Sequence, residues 1–198
     1  MKIAAATSNR HKIAEIRQIL GAHGIEVLGA DEAGGMPEVI EDGRTFRENA
    51  IKKAIGGAKA LGCMVLADDS GLEVAALGGA PGVFSARYAG EGGNDGRNVA
   101  KLLANLRGVA DRSARFVCVI AVALPDGAIL GTAEGQVRGR IAESPAGHGG
   151  FGYDPVFIPD GYDRSFGELP PEVKNHLSHR ANALSEALAT IFHLNPNP

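Results

Sequence analysis

The sequence has few cysteines, no strong excess of charge of either sign and no long apolar segment. Its two cysteines, Cys63 and Cys118, lie in separate apolar stretches and offer neither a metal-ligand spacing nor a disulfide framework. A net charge of −3 implies no general attraction to nucleic acid or to a membrane surface. The first residues, Met1–Ala6, are followed at once by the polar Thr7, and this run is too short for a signal peptide or a membrane span. We therefore expect a cytoplasmic protein that binds neither a nucleic acid polymer nor a membrane.

The composition is typical of one globular domain with a full core. The chain has 198 residues, of which 44% are hydrophobic and 22% are charged. It contains no repeat, no low-complexity linker and no change in composition, so residues 1–198 are expected to form a single domain. Its many glycines lie between periodic segments, which is typical of shaped loops rather than disorder.

Apolar periodicity predicts strands that alternate with helices early in the chain and an antiparallel pair later. The predicted strands are 2–6, 25–28, 63–67, 115–124 and 128–138, with short ones at 72–77 and 155–158. The predicted helices are 12–20, 45–61, 94–106 and 178–192, with a short one at 81–88. Thr45 and Glu48 match a capping box, and 195–198 is expected to be a frayed tail. This pattern favours an α/β fold with a mixed central sheet and flanking helices.

Asp68 and Asp69 are the most informative residues, because they directly follow an apolar run that predicts a buried strand. Two adjacent carboxylates are costly to bury unless a cation or a proton offsets them. At the carboxyl end of a strand, where open α/β sheets bind ligands, they favour a magnesium site and hence phosphate. A turn over Asp68-Asp69-Ser70-Gly71 is the alternative from these residues alone.

Three further segments could bind parts of a nucleotide. Thr7–Lys12 joins a strand to a helix, so it predicts either a phosphate site or an N-cap followed by a solvated basic turn. Glu41, with Asn49 and Lys53 on one helix face, predicts either a metal and phosphate site or a solvated surface. Gly147–Pro155 predicts either a ligand loop, with Phe151 for stacking, or a glycine-rich turn.

A fourth group is Lys174 with Ser178-His179-Arg180, at the predicted start of the last helix. Cations at a helix N-terminus oppose the helix dipole, so an anion or a carbonyl-rich ligand would explain them. A solvated helix start is the alternative. Together the four groups supply an anion cradle, carboxylates for a metal, a stacking ring and donors for a base, as a nucleoside triphosphate site requires.

With these motifs the chain resembles the inosine/xanthosine triphosphate pyrophosphatases, which hydrolyse non-standard purine nucleoside triphosphates. The matching segments occur in the family's order and cover nearly the whole chain: Thr7–Lys12, Thr45-Phe46 with Glu48-Asn49-Ala50, Ala67–Leu72, Gly78–Tyr88, Gly149–Pro155 and Ser178–Arg180. One departure is Ser8, where the family usually has Gly in a tight turn.

The resemblance implies a magnesium-dependent cut between the α and β phosphates of ITP, dITP or XTP. The products would be a nucleoside monophosphate and pyrophosphate, and the reaction would remove such nucleotides from the pool. The resemblance also implies an elongated α/β structure with two lobes around a cleft, and a homodimer.

The resemblance implies a role for each matching residue. Asp69 would activate water, and Lys53 would bind phosphate. Magnesium would be held by Asp69, Glu41 and Asp68, although Glu38 and Asp42 are alternatives to Glu41 in the same acidic loop. The remaining substrate contacts would come from Thr7, Ser8, Asn9, Arg10, His11, Lys12, Ser70, Phe151, Gly152, Tyr153, Asp154, Lys174, His179 and Arg180.

Two other functions remain open at this point. A related pyrophosphatase could prefer a modified pyrimidine or a standard base, which a panel of substrates would decide. A nucleotide sensor that binds without hydrolysis is the second alternative. The acidic residues Glu41, Asp68 and Asp69, together with Lys53, favour an enzyme over a sensor.

Overall fold

A computed structural model describes residues 1–37 and 39–194 of the chain. Predictions that concern Glu38 or 195–198 lie outside the described residues. The strands are β1 Lys2–Ala5, β2 Glu26–Leu28, β3 Val65–Val74, β4 Ser113–Ala123, β5 Ile129–Ile141 and β6 Phe157–Pro159. The helices are α1 Arg10–Gly21, α2 Phe46–Leu61, α3 Asp95–Asn105, α4 Pro171–Leu177 and α5 His179–Thr190. Short 3₁₀ helices are Ala75–Leu77, Gly82–Arg87 and Asp154–Val156.

The described strands form one mixed sheet in the order β2-β1-β3-β4-β5-β6. β1 runs parallel to both β2 and β3, whereas β5 runs antiparallel to β6. The predicted turn between β4 and β5 is present, and a 2.8 Å hydrogen bond from Leu124 N to Ala128 O closes it. The predicted mixed α/β sheet with flanking helices is confirmed.

The chain folds into two compact units, and each has its own apolar core. The first unit comprises Met1–Asp69, Cys118–Gly135 and the segment that begins at Arg180, and the second comprises Ser70–Val117 and Gln136–His179. The core of the first unit includes Ile3, Ile16, Leu20, Leu66, Ile120 and Leu184. The core of the second unit includes Leu72, Leu102, Leu106, Phe116, Phe157 and Phe166. The extent of the domain, over 1–198, stays a prediction.

Side-chain caps fix where the longer helices begin. Asn9 caps α1 by accepting hydrogen bonds from the backbone of His11 and Lys12. Thr45 caps α2 through a 3.1 Å hydrogen bond from Glu48 N, as the capping-box motif predicts. None of the described helices could span a bilayer, since each lacks a sufficient length of apolar residues.

The main correction concerns β3, which is one long strand. The sequence predicts one strand over 63–67 and a separate short one over 72–77, with a turn at Asp68 and Asp69 as the alternative to a ligand site, but β3 runs through both aspartates without a break and ends at Val74. Its pairing with β1 and the ion pairs of both carboxylates override the local preference of Asp-Asp-Ser-Gly for a turn. The sequence also gives no prediction for α4, which begins at Pro171.

Candidate active site

Asp68 and Asp69 lie on opposite faces of β3. Both residues are buried, at 2% and 7% exposure. Asp68 is paired with Lys12, whereas Asp69 is paired with Lys53. Since successive side chains of a strand point to opposite faces, neighbouring carboxylates meet different partners. The two residues therefore belong to two separate clusters of the first unit.

The first cluster surrounds Asp69. Its Oδ1 accepts a hydrogen bond from Lys53 Nζ at 2.9 Å, and its Oδ2 accepts one from Asn49 Nδ2 at 3.2 Å. Lys53 Nζ also lies 3.3 Å from Glu41 Oε2. Asn49 and Lys53 are one turn apart on α2, so the cap at Thr45 sets the position of both side chains.

Asn49 links this cluster to the acidic loop that precedes α2. Its side-chain oxygen accepts a 2.8 Å hydrogen bond from Gly43 N, while its nitrogen donates to Asp69. Within the described part of that loop, Glu41 reaches Lys53, whereas Asp42 pairs with Lys52 at the surface. Glu41 therefore shares Lys53 with Asp69, which Asp42 does not contact, and the metal-binding role of Glu41 stays a prediction.

Burial and ion pairing together shift the pKa values of Asp69 and Lys53. Burial raises the pKa of the Asp69 carboxyl above its usual range, and the attraction of Lys53 offsets only part of this effect. Burial opposes the charged form of Lys53 too, but Asp69, Asp68 and Glu41 outweigh it and raise the pKa of the ammonium. The result is a charged lysine beside a carboxylate that is a better proton acceptor than an exposed one.

The second cluster is a buried ion-pair network around Asp68. Asp68 Oδ2 lies 2.9 Å from Lys12 Nζ and 3.1 Å from Arg180 Nη2, and Arg180 Nε donates to it at 3.2 Å. Arg180 also donates to Glu15 of α1. Burial alone would raise the pKa of Asp68, but Lys12 and Arg180 outweigh it and hold this pKa well below its usual range.

This network joins α1, β3 and α5. The guanidinium of Arg180 is engaged by Asp68 and Glu15, and the residue is 1% exposed. The arrangement favours a structural role for Arg180, and its contact with the base stays a prediction. Lys12, by contrast, keeps 17% of its side chain exposed. It therefore remains accessible as a charge beside the first turn of α1.

The segment Thr7–Lys12 is shaped by its own side chains. Asn9 accepts from the backbone of His11 and Lys12, and Thr7 Oγ1 accepts from Asn9 N at 3.2 Å. Ser8, Arg10 and His11 are exposed, and the described residues place none of the three in the left-handed region. Ser8 therefore needs no glycine-like backbone, and its departure from the family's usual Gly causes no strain.

The second unit contains a separate cluster around Asp154. Its Oδ2 lies 2.7 Å from Lys174 Nζ and accepts a 2.8 Å hydrogen bond from Phe151 N. The Lys174 ammonium lies 4.5 Å from the centre of the Phe151 ring. Gly150 has a φ of 72°, and a Cβ there would meet Asp154 Oδ2 at 2.0 Å, so the close approach requires glycine.

The rest of this loop is tied to other elements of the second unit. Gly152 N donates to Asp95 Oδ2 at 2.7 Å, at the start of α3. Tyr153 is buried, and its hydroxyl donates to Ser85 O at 2.8 Å, so this side chain anchors the loop. The Ser85 hydroxyl in turn accepts from Leu72 N at 2.9 Å. The motif Gly78–Tyr88 thus supports the loop through Ser85.

His179, the first residue of α5, stacks on Phe116 of β4. Their ring centres are 4.7 Å apart and their planes differ by 13°. Both residues are 6% exposed. The sequence analysis did not identify Phe116 as functional. The alternation of polar and apolar residues over Ser113–Phe116 is a signal for its inward orientation, and the structure places it inward. Neither Ser85 nor Asp95 was assigned a role from the sequence.

Carboxylates that could hold a metal are few. Within 1–37 and 39–194 there is no group of three or more His, Cys, Asp or Glu side chains with a suitable arrangement. Glu41 and Asp69 form a pair, since both reach the ammonium of Lys53. Asp68 faces away from them, and Ser70 is partly buried one position further along β3.

Comparisons with known proteins find similar sequences and structures over almost the whole chain. A sequence model of the Ham1 family matches residues 3–190. The dITP/XTP pyrophosphatase of Desulfotalea psychrophila is 53% identical over 187 residues, which cover 94% of this chain and 83% of that protein. The dITP/XTP pyrophosphatase of Bacillus subtilis is 49% identical over 183 residues, which cover 91% and 92%. The structure of the Staphylococcus aureus Ham1 protein is 43% identical, has a TM-score of 0.86 and covers 98% of this chain and 99% of that chain.

Proposed function

Since the chain belongs to the Ham1 family, we propose that it hydrolyses non-standard purine nucleoside triphosphates such as dITP, XTP and ITP to the monophosphate and pyrophosphate. The observation that carries this proposal is the buried Asp69, held between Asn49 and Lys53 and close to Glu41. This cluster supplies a proton acceptor, a fixed positive charge and a second carboxylate. Groups of this kind activate the attacking water and stabilise the charge on phosphate oxygens in enzymes that cleave phosphoanhydrides.

In the proposed reaction a water oxygen attacks the α-phosphorus, the bond to the bridging oxygen breaks, and pyrophosphate leaves. Asp69 accepts a proton from the attacking water, and its raised pKa makes it a stronger base than an exposed carboxylate. Lys53 stays charged and stabilises the negative charge that develops on the phosphate oxygens. Lys12 adds a second positive charge near the first turn of α1.

Glu41 and Asp69 would hold magnesium. Both carboxylates reach the same ammonium, with Lys53 Nζ 3.3 Å from Glu41 Oε2 and 2.9 Å from Asp69 Oδ1. Two protein carboxylates suit Mg²⁺, which usually takes its other ligands from water and substrate phosphates. When bound, the ion neutralises phosphate charge and orients the reacting phosphate. Asp68 would support β3 from the opposite face rather than bind the metal.

Base selection would come from the cluster of the second unit. Lys174 and His179 are donors, and Phe151 offers a ring on which a flat base can stack. Hypoxanthine and xanthine carry a carbonyl where adenine carries an amino group, so these donors could bond the first two bases but would face a second donor in adenine. Unpaired polar groups in a site can reduce kcat/KM by several powers of ten.

The reaction is tested by its products. The protein is incubated with ITP, XTP, dITP and ATP in the presence of magnesium, and phosphorus NMR identifies the released anion. Pyrophosphate is expected, and orthophosphate would contradict the proposal. In ¹⁸O-labelled water the label should enter the monophosphate, since the attack is at the α-phosphorus. Label in the pyrophosphate would place the attack at the β-phosphorus.

The role of Asp69 is tested by Asp69→Asn, which keeps the size of the side chain. We expect kcat to fall about 10²- to 10⁴-fold, because the proton acceptor is lost. Asp42→Asn is the matched control, since Asp42 pairs with Lys52 at the surface, and it should stay within about twofold of the original. Activity of Asp69→Asn close to that of this control would refute the assignment.

The metal assignment has its own experiment. Glu41→Gln should raise the magnesium concentration that gives half-maximal activity, whereas Asp42→Asn should leave it unchanged. An equal shift in both variants would mean that the loop acts only through its net charge. The homodimer is a further prediction, and light scattering of the purified protein measures it directly.

A further inference from the structure

Phe116 of β4 packs between Phe157 and His179. In β4 the side chains alternate, so that Ser113 and Arg115 are exposed while Ala114 and Phe116 face the core of the second unit. The Phe116 ring packs against Phe157 with a centre distance of 4.6 Å and a tilt of 54°. The ring is therefore held firmly on one side by the core.

The other contact of Phe116 is with His179, and it is nearly parallel. At 4.7 Å and 13°, the two rings lie face to face, so the imidazole cannot tilt toward Phe116 without a clash. Both residues are almost fully buried, which leaves little freedom for rotation. The nitrogens of an imidazole lie at its edge, so the plane of the ring sets the directions in which they can hydrogen bond.

We infer that Phe116 is a positioning residue for base selection, because its ring fixes the plane of the His179 imidazole and so aims this donor at the carbonyl of the base. The inference rests on the proposed function. A hydrogen bond weakens steeply as it departs from linearity, whereas apolar contact with a base is less sensitive to angle. Loss of the stack should thus weaken the discrimination against adenine more than it weakens nucleotide binding in general.

The experiment compares Phe116→Leu with Phe166→Leu. Phe166 is also buried in this core, and its ring stacks on Phe157 at 5.4 Å, so the control makes the same change at a comparable site. The readout is the ratio of kcat/KM for ITP to that for ATP. We expect Phe116→Leu to lower this ratio about three- to tenfold, in line with the strength of aromatic pairs. Phe166→Leu should leave the ratio within about twofold, although both variants lose stability.

A double variant tests whether Phe116 acts through His179. His179→Ala should lower the ratio by itself, and adding Phe116→Leu should then lower it no further. A further fall in that background would mean that Phe116 affects the base by another route, which overturns the inference. Phe116→Met, which keeps an apolar side chain without a ring, gives the same measurement if Phe116→Leu does not fold.

The outcomes separate this inference from the proposed function. An enzyme that prefers ITP and keeps its full preference in Phe116→Leu overturns the positioning role and leaves the function intact. A chain that releases pyrophosphate from ITP and ATP equally well overturns the proposed base selection, and the role of Phe116 with it. A lowered ratio in Phe116→Leu alone supports both.

Discussion

Replacing Asp68 with asparagine tests whether this residue supports the fold or binds the metal. Its side chain is fully buried and its carboxylate pairs with Lys12 and Arg180. Asparagine keeps the volume of the side chain but removes the charge. The substitution therefore isolates the ion-pair network from any effect of packing.

The expected cost follows from the burial of the partners. Arg180 is 1% exposed in its side chain and would retain Glu15 as a charged partner, whereas Lys12 is 17% exposed and can reach solvent more easily. Removing one partner of a buried ion pair costs about 3–5 kcal/mol. For a chain of this length, this lowers Tm by roughly 6–20 °C.

The assay is urea unfolding followed by far-ultraviolet circular dichroism, since the chain contains no tryptophan. Glu26→Gln is the matched control, because it removes a carboxylate from an ion pair with Lys2 that is more than half exposed on both sides. It should change the free energy of unfolding by less than about 1 kcal/mol. The double variant of Asp68→Asn with Arg180→Met should recover part of the loss, because it removes the buried cation that has lost the carboxylate of Asp68.

Unchanged stability of Asp68→Asn would contradict a structural role for this residue. If Asp68→Asn unfolds at the same urea concentration as the control but requires more magnesium for activity, Asp68 is a metal ligand and not a support. A loss of stability with an unchanged magnesium requirement places it in the network.

Three further predictions concern other parts of the chain. In the folded protein a thiol reagent should modify Cys63 and not Cys118, because Cys118 is buried and burial raises the pKa of its thiol to about 12. Mass spectrometry should find both cysteines modified only after unfolding. Gly150→Ala should lower kcat/KM for ITP at least tenfold, because its Cβ would displace the carboxylate of Asp154, and an unchanged value would mean that the loop adapts. Thr45→Ala should destabilise the protein by about 1 kcal/mol through the lost cap of α2, and a calorimetric Tm equal to that of the original chain would contradict this.

Local signals in the sequence were sufficient to predict where α2 begins and which of its side chains share a face. Thr45 and Glu48 correctly predicted the start of α2, and the spacing of Asn49 and Lys53 correctly placed both side chains on one face. These features depend on neighbours within one or two turns. They can therefore be deduced from the chain without knowledge of its tertiary contacts.

The course of β3 could not be deduced in this way. The residues from Asp68 to Gly71 each favour turns, and their partners Lys12, Lys53 and Arg180 come from distant parts of the chain. Only the folded structure shows that these partners meet the carboxylates and stabilise an extended backbone. The stack of Phe116 on His179 was beyond prediction for the same reason, because β4 and the start of α5 are far apart in sequence.

The opposite orientation of Asp68 and Asp69 also limits which changes of chain length β3 can accept. Deleting one residue between the part of the strand that pairs with β1 and Asp68 would turn every later side chain to the other face. Asp68 would then point toward Lys53, and Asp69 toward Arg180. The two carboxylates would exchange surroundings in a single step, although no acidic residue had been lost. We expect β3 to tolerate a conservative substitution far better than an insertion or deletion of one residue.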